Sequence, residues 1–198
     1  MADDRDLGFV EAVADAFSFL VDRYGFEMKT PAPTLVEFGS PAVLLRVYHG
    51  RQSYEINVEL NLQTEWKQGV APFTISDVLR VGGASHELPN GVIQASTRTA
   101  VRSGVQRLSD LLRKYGLDAI AGNPFAYRRL ATERSRAAVA EAEALRLRDL
   151  RRKAETAWRN RDFRTVEQAY SQMEEALTPA EKKKLEYVRR QPRYPKPL

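Results

Sequence analysis

The clearest pattern in the chain is an alternation of apolar and polar residues in its first third. Apolar residues occupy every second position over 43–47 and again over 54–62, with the polar residues Glu55, Asn57, Glu59 and Asn61 between those of the second run. A period of two predicts strands that have one buried and one solvated face. The residues between the runs, 49–52, predict a turn, so the pattern indicates an antiparallel hairpin.

Apolar residues at steps of three and four predict helices on either side of this hairpin. The first covers about 4–24 and ends at Gly25, and the second covers about 92–115 and ends at Gly116. Shorter elements are predicted as strands at 26–30 and 34–38, a loop that holds Trp66, and a helix at 74–81. The predicted fold is α+β, with a small antiparallel sheet of three or four strands packed on the two longer helices.

The last third of the chain is rich in Ala, Glu, Arg and Lys and predicts helices only. Pro124 suits the first turn of a helix predicted to run to about residue 160, followed by a helical hairpin that ends near residue 190. The predicted domains are therefore 1–123 (α+β), 124–190 (a basic helical extension) and 191–198 (a mobile, Pro-rich tail). The long helix carries a stripe of small residues, which would also permit a homodimer through pairing with a second copy.

Charge divides the chain in the same way. Residues 1–125 contain 12 Lys and Arg against 15 Asp and Glu, whereas residues 126–198 contain 19 against 11. The densest basic cluster consists of Arg146, Arg148, Arg151, Arg152 and Lys153. On a helix, positions 148, 151 and 152 share one side, so this cluster is a candidate site for nucleic acid or an acidic partner. The competing interpretation is a solvated helix with local ion pairs.

Composition excludes several kinds of chemistry. The chain has no cysteine, which excludes disulfides, thiolate catalysis and cysteine-based zinc sites. Its histidines, His49 and His86, do not share a helix face, so no metal site and no cofactor are predicted. Ser85, His86 and Glu87 are adjacent, and adjacent side chains point in different directions, which argues against a catalytic triad. The acidic N-terminus and the lack of a long apolar run predict a cytoplasmic protein without a membrane span.

One remote alternative is a Mg²⁺-dependent, nuclease-like site. Glu55, Glu59, Glu65 and Lys67 follow the order in which some nucleases place metal-binding acids and a lysine after a hairpin. The Glu65-x-Lys67 pair falls beyond the end of the alternation, however, and no Asp begins a strand nearby. Glu55 and Glu59 are explained more simply as the solvated face of a strand, and no catalytic residue is predicted.

Four segments together carry a resemblance to known proteins: residues 19–26, the hairpin strands 43–47 and 54–62, and residues 73–79. Over about residues 9–125 the chain resembles small uncharacterised bacterial proteins, some of which accompany polymorphic toxins and are thought to act as immunity proteins. The resemblance rests on a hydrophobic pattern and implies a neutralising or binding role without catalysis. It does not cover the basic helices.

The leading functional expectation is therefore a non-enzymatic protein-binding module, similar to an immunity or adaptor protein. The predicted contact surface consists of Glu55, Asn57 and Glu59 on the solvated strand face, together with an exposed Trp66. Association with nucleic acid through the basic helix is the main alternative.

Overall fold

The protein has the predicted α+β fold in a computed structural model that describes residues 7–191. The described chain forms two compact units that divide between Arg134 and Ser135. We call residues 7–134 the sheet unit and residues 135–191 the helical unit. The predicted tail lies, apart from Gln191, outside the described residues.

The sheet unit is built on one antiparallel sheet. Its strands are β1 (Glu27–Met28), β2 (Leu35–Gly39), β3 (Val43–His49), β4 (Glu55–Leu62), β5 (Phe73–Thr74) and β6 (Ile93–Gln94). The first five pair in chain order, and β6 also pairs with β4. The sheet therefore has six strands rather than three or four, because the two-residue strands β5 and β6 lie at the start of segments whose spacing predicts helices.

The central hairpin confirms the alternation read from the sequence. Val47 lies opposite Val58, and both are fully buried, as are Val43, Leu45, Ile56 and Leu60 on the same face, whereas Leu62 at the end of β4 is partly buried. His49 was expected in the turn but instead ends β3 opposite Ile56. It is buried, stacks on Phe9 with ring centroids 5.7 Å apart, and its Nε2 lies 2.9 Å from the carbonyl oxygen of Ala95.

Helices cover the inner face of the sheet. They are α1 (Phe9–Ala16), α2 (Ser18–Tyr24), α3 (Gln63–Lys67), α4 (Ile75–Val81), α5 (Arg98–Tyr115) and α6 (Leu117–Ile120), followed by the first turns of α7 (Pro124–Arg159). Of these, α3 is the exception, because it directly follows β4, where a loop was predicted, and carries Trp66 to the opposite face of the sheet. Tyr127 and Leu130 of α7 join the core of the sheet unit, although residues from 124 onward were assigned to the extension by the sequence.

Two predicted helix boundaries need correction. The single helix expected over 4–24 is two helices, because Phe17 leaves helical geometry (φ −100°, ψ 9°); residues 4–6 lie outside the described chain. The helix expected from residue 92 begins at Arg98, since residues 93–94 pair with β4 as a strand. Thr97 caps this helix by accepting a hydrogen bond from the amide of Ala100.

The helical unit contains the rest of α7 with α8 (Phe163–Ser171) and α9 (Pro179–Arg190). Small and apolar residues such as Ala154, Val166, Tyr170 and Leu185 form its core. Three rings, those of Trp158, Phe163 and Tyr187, pack edge to face with centroids 5.7–5.9 Å apart. Among the described residues, no helix is both long and apolar enough to cross a bilayer.

Candidate functional site on the outer face of the sheet

The strand register places a group of polar and aromatic side chains on the face of the sheet opposite the helical core. Glu37 pairs with Arg46, Arg46 pairs with Glu59, and Tyr48 pairs with Asn57 across neighbouring strands. Because side chains at paired positions point to the same side, these residues share one face. We call the following set the outer sheet face: Glu37, Arg46, Tyr48, Glu55, Asn57, Glu59 and Trp66.

Arg46 is the centre of this face. Its Nε donates to Oε1 of Glu37 at 2.5 Å, and its guanidinium carbon lies 4.3 Å from the centroid of the Trp66 ring. The helix α3 directly follows β4 and brings Trp66 back over the strands. A cation–π contact of this kind holds both side chains in one geometry. Arg46 and Trp66 therefore form a fixed, half-buried pair.

Burial shifts the pKa values of two titratable groups on this face, Glu59 and Tyr48. Burial raises the pKa of Glu59 above its ordinary value, and the positive charge of Arg46 only partly offsets this effect. Burial also raises the pKa of Tyr48, with the negative charges of Glu59 and Glu55 adding to it and a hydrogen bond with Asn57 opposing it. The carboxylate of Glu59 is thus incompletely compensated, and a cation brought against it would be stabilising.

The structure corrects two of the four residues predicted for partner binding. Asn57 was expected to be solvated, but it is only 5% exposed, and its Oδ1 accepts a hydrogen bond from the amide of Val58 at 2.8 Å. Trp66 was expected to be exposed in a loop, but it is half-buried on α3 because Arg46 stacks on it. Glu55 and Glu59 lie on the outer face as expected, and each is half-buried.

Sequence reasoning missed Glu37, Arg46 and Tyr48. The signal was present in the alternation of β3, where Arg46 and Tyr48 occupy the positions between buried residues. What the sequence could not supply was the pairing of β2 with β3, which places Glu37 next to Arg46. The face therefore combines three carboxylates, one guanidinium and two large aromatic side chains.

The nuclease-like alternative loses its geometric basis. Glu55 and Glu59 are four residues apart on one strand, which separates them by roughly 13 Å, too far to share one Mg²⁺ ion. Among residues 7–191 no three His, Asp or Glu side chains are grouped so that they could hold a metal ion. Lys67 lies at the end of α3 and is exposed.

Three of the five residues in the predicted basic cluster form ion pairs within the helical unit. Arg146 pairs with Glu143 at 2.8 Å and Arg152 pairs with Asp149 at 2.9 Å, in both cases one turn away on the same helix. Arg151 points toward α9, where its Nε lies 3.1 Å from Glu181 and its Nη2 donates to the carbonyl of Ala176 at 2.6 Å.

Two members of the cluster remain exposed without such partners. Arg148 and Lys153 form no hydrogen bond or ion pair with any residue that the structure describes. Five positions separate them, which on a helix is a rotation of about 140°, so they do not share a face. The cluster thus presents fewer aligned, available cations than its sequence indicates.

None of the protein families, curated proteins or solved structures with which the chain was compared matches it.

Proposed function

We propose that this protein is a non-enzymatic protein-binding module, similar in role to an immunity or adaptor protein, and that it binds its partner through the outer sheet face. The single observation that carries the proposal is the Arg46–Trp66 pair set among the carboxylates of Glu37, Glu55 and Glu59. Trp, Tyr and Arg are the residue types that contribute most often to binding energy at protein interfaces. A sheet also holds them in place before binding, which lowers the entropic cost of association.

The charge of the face indicates the chemistry of the partner. Glu37 is already paired with Arg46, whereas Glu55 and Glu59 have no cation of their own at ion-pair distance among the described residues. A partner that places Lys or Arg against these two carboxylates and an apolar group against Trp66 would satisfy both features. We therefore expect a basic partner surface.

Affinity purification from the organism of origin provides the test. The tagged chain is used in parallel with Trp66→Ala and with Tyr187→Ala, which removes a half-exposed aromatic side chain from the helical unit. A protein retained by the unmodified chain and by Tyr187→Ala, and lost from Trp66→Ala, is then purified and titrated. We expect Trp66→Ala to weaken its Kd by about 30-fold or more.

Two results would contradict the proposal. One is retention of the partner by Trp66→Ala with unchanged affinity. The other is loss of binding in Tyr187→Ala alone, with its melting temperature unchanged, which would move the interface to the helical unit.

Nucleic-acid association through the basic helix remains the second candidate, and the exposed side chains of Arg148 and Lys153 are the observation in its favour. It predicts binding to mixed DNA or RNA that weakens steeply with salt and is lost in Arg148→Glu/Lys153→Glu. Binding that is absent at low salt would eliminate this candidate.

A further inference from the structure

A second surface of the sheet unit is mainly basic, whereas the outer sheet face is mainly acidic. The end of α4 and the first turns of α7 enclose an open groove of about 450 Å³. Its lining residues are Arg80, Val81, Gly83, Phe125, Arg128, Arg129, Thr132 and Glu133. The described residues that line the groove thus include three guanidinium groups and one carboxylate.

The apolar part of the groove is dominated by Phe125. This residue is 69% exposed, which leaves most of its aromatic ring in water. The guanidinium carbon of Arg128 lies 4.3 Å from the centroid of this ring, so a cation and an aromatic face are presented together. An exposed ring beside a stacked guanidinium offers a partner one aromatic and one cationic contact.

The arginines of the groove retain hydrogen-bonding capacity. Arg80 donates one Nη1 contact to Asp77 at 3.0 Å, and Arg129 donates one long contact to the carbonyl of Val81 at 3.4 Å. Arg128 forms no ion pair with any residue in the described range, and its contact with Phe125 uses the face of the guanidinium rather than its N–H groups. Since a guanidinium carries five N–H donors, each of the three can bind a carboxylate without breaking an existing contact.

We propose that this groove binds an acidic peptide segment of a partner protein, in which carboxylates meet Arg128 and Arg129 and an apolar side chain covers Phe125. Charge complementarity supports this occupant, and the apolar ring favours a peptide over a bare anion. The proposal concerns a surface different from the outer sheet face and stands independently of it.

The test uses the full chain and a fluorescein-labelled peptide of twelve residues in which Glu alternates with Leu, compared with the same peptide carrying Gln in place of Glu. Fluorescence anisotropy should show saturable binding of the Glu peptide, weakened as salt is raised. Arg128→Gln/Arg129→Gln should weaken the Kd by about tenfold or more, and Phe125→Ser by about fivefold.

The matched control is Arg23→Gln/Arg102→Gln, which removes the same charge from two exposed positions outside the groove. It should change the Kd by less than about twofold. Melting temperatures of all variants establish that each is folded.

Several outcomes would overturn the proposal. They are the absence of saturable binding, equal affinity for the Gln peptide, or an equal loss of affinity in the control variant. Displacement of the peptide by inorganic phosphate, or by a single-stranded oligonucleotide at equal charge concentration, would also overturn it, because the groove would then be a general polyanion site.

Discussion

Each of the two units of this protein has a helix that begins with a capping box, but the ion pairs at the two boxes differ in solvent exposure. In the sheet unit, Thr74 and Asp77 form a capping box at the start of α4, and in the helical unit Thr178 and Glu181 form one at the start of α9. In each unit an arginine of α7 binds the acidic residue of the box: Arg134 contacts Asp77 at 2.6 Å, and Arg151 contacts Glu181 at 3.1 Å. The boxes satisfy amide groups that the helices leave open.

The ion pairs at the two capping boxes differ in their solvent exposure and in their neighbours. The side chains of Arg134 and Asp77 are 32% and 10% exposed. Arg134 also donates to the carbonyls of Ala71 and Pro72, and its guanidinium carbon lies 4.1 Å from the ring centroid of Phe73. The pair formed by Arg151 and Glu181 is more open to water, with side chains 39% and 16% exposed. The ion pairs at the two capping boxes should therefore stabilise the two units by different amounts.

The pairing of these two arginines also affects how many cations are available for binding. In the sequence, Arg134 and Arg151 belong to one basic helix. In the fold, Arg134 is paired with Asp77 and Arg151 with Glu181, each within its own unit. A charge count over residues 126–198 thus overestimates the cations that could contact phosphate. This supports our choice of protein binding over nucleic-acid binding as the leading proposal.

The largest expected effect is that of Arg134→Ala, which leaves the Asp77 carboxylate buried with Arg80 as its remaining cation. We expect the free energy of unfolding of the sheet unit to fall by about 3 kcal/mol. Each unit contains one of the two tryptophans, so urea denaturation followed by Trp66 fluorescence in a Trp158→Phe background reports on this unit. Arg102→Ala is the exposed control, and a loss below about 1 kcal/mol for Arg134→Ala would contradict the comparison.

A smaller effect is expected for Arg151→Ala, because its pair with Glu181 is partly solvated. The free energy of unfolding of the helical unit should fall by about 1 kcal/mol, measured through Trp158 fluorescence in a Trp66→Phe background. Arg148→Ala serves as the control, since that side chain forms no ion pair among the described residues. A loss as large as that caused by Arg134→Ala would show that solvent exposure does not distinguish the pairs.

The stability of the Asp77→Asn variant should depend on pH. Burial alone would raise the pKa of Asp77, but the hydrogen bonds from Arg134 and Thr74 outweigh it and hold the pKa below its ordinary value. The resulting stability is fully present above the unfolded-state pKa, about 4, and is lost as the pH falls through the lower folded-state pKa. The deficit of Asp77→Asn relative to the unmodified chain should therefore be constant near pH 7 and shrink below about pH 4. A deficit that does not change with pH would mean that ionisation of Asp77 is irrelevant.

The smallest expected effect has the opposite sign and concerns Glu59. Burial raises its pKa, so the ionised form is less favourable in the folded chain than in the unfolded chain. Glu59→Gln should raise the melting temperature by about 1–2 °C at pH 7, and this gain should vanish at a pH below the unfolded-state pKa, about 4.3. A lower melting temperature at pH 7 would mean that attraction to Arg46 outweighs burial.

Much of the fold could be predicted because its elements have strong periodicity. The hairpin of β3 and β4 and the long helix α7 were found from alternation and helical spacing. The short strands β5 and β6 were missed because each has only two residues and lies at the start of a segment with a helical pattern, residues 74–81 and 92–115. The break at Phe17 was also missed, because the apolar spacing continues across it.

The candidate site was predictable only in part. Glu55 and Glu59 follow from alternation alone. Arg46, Tyr48 and Glu37 depend on which strands pair and in what register, and the half-burial of Trp66 depends on a cation that stacks on it. These are contacts between distant residues, which composition and local pattern do not contain.

Hydrogen exchange of the chain with and without its purified partner would locate the interface. If the outer sheet face binds the partner, exchange should slow over residues 43–67, which contain β3, β4 and α3, and stay unchanged in residues 163–190. Protection confined to residues 163–190, with none over residues 43–67, would contradict this proposal.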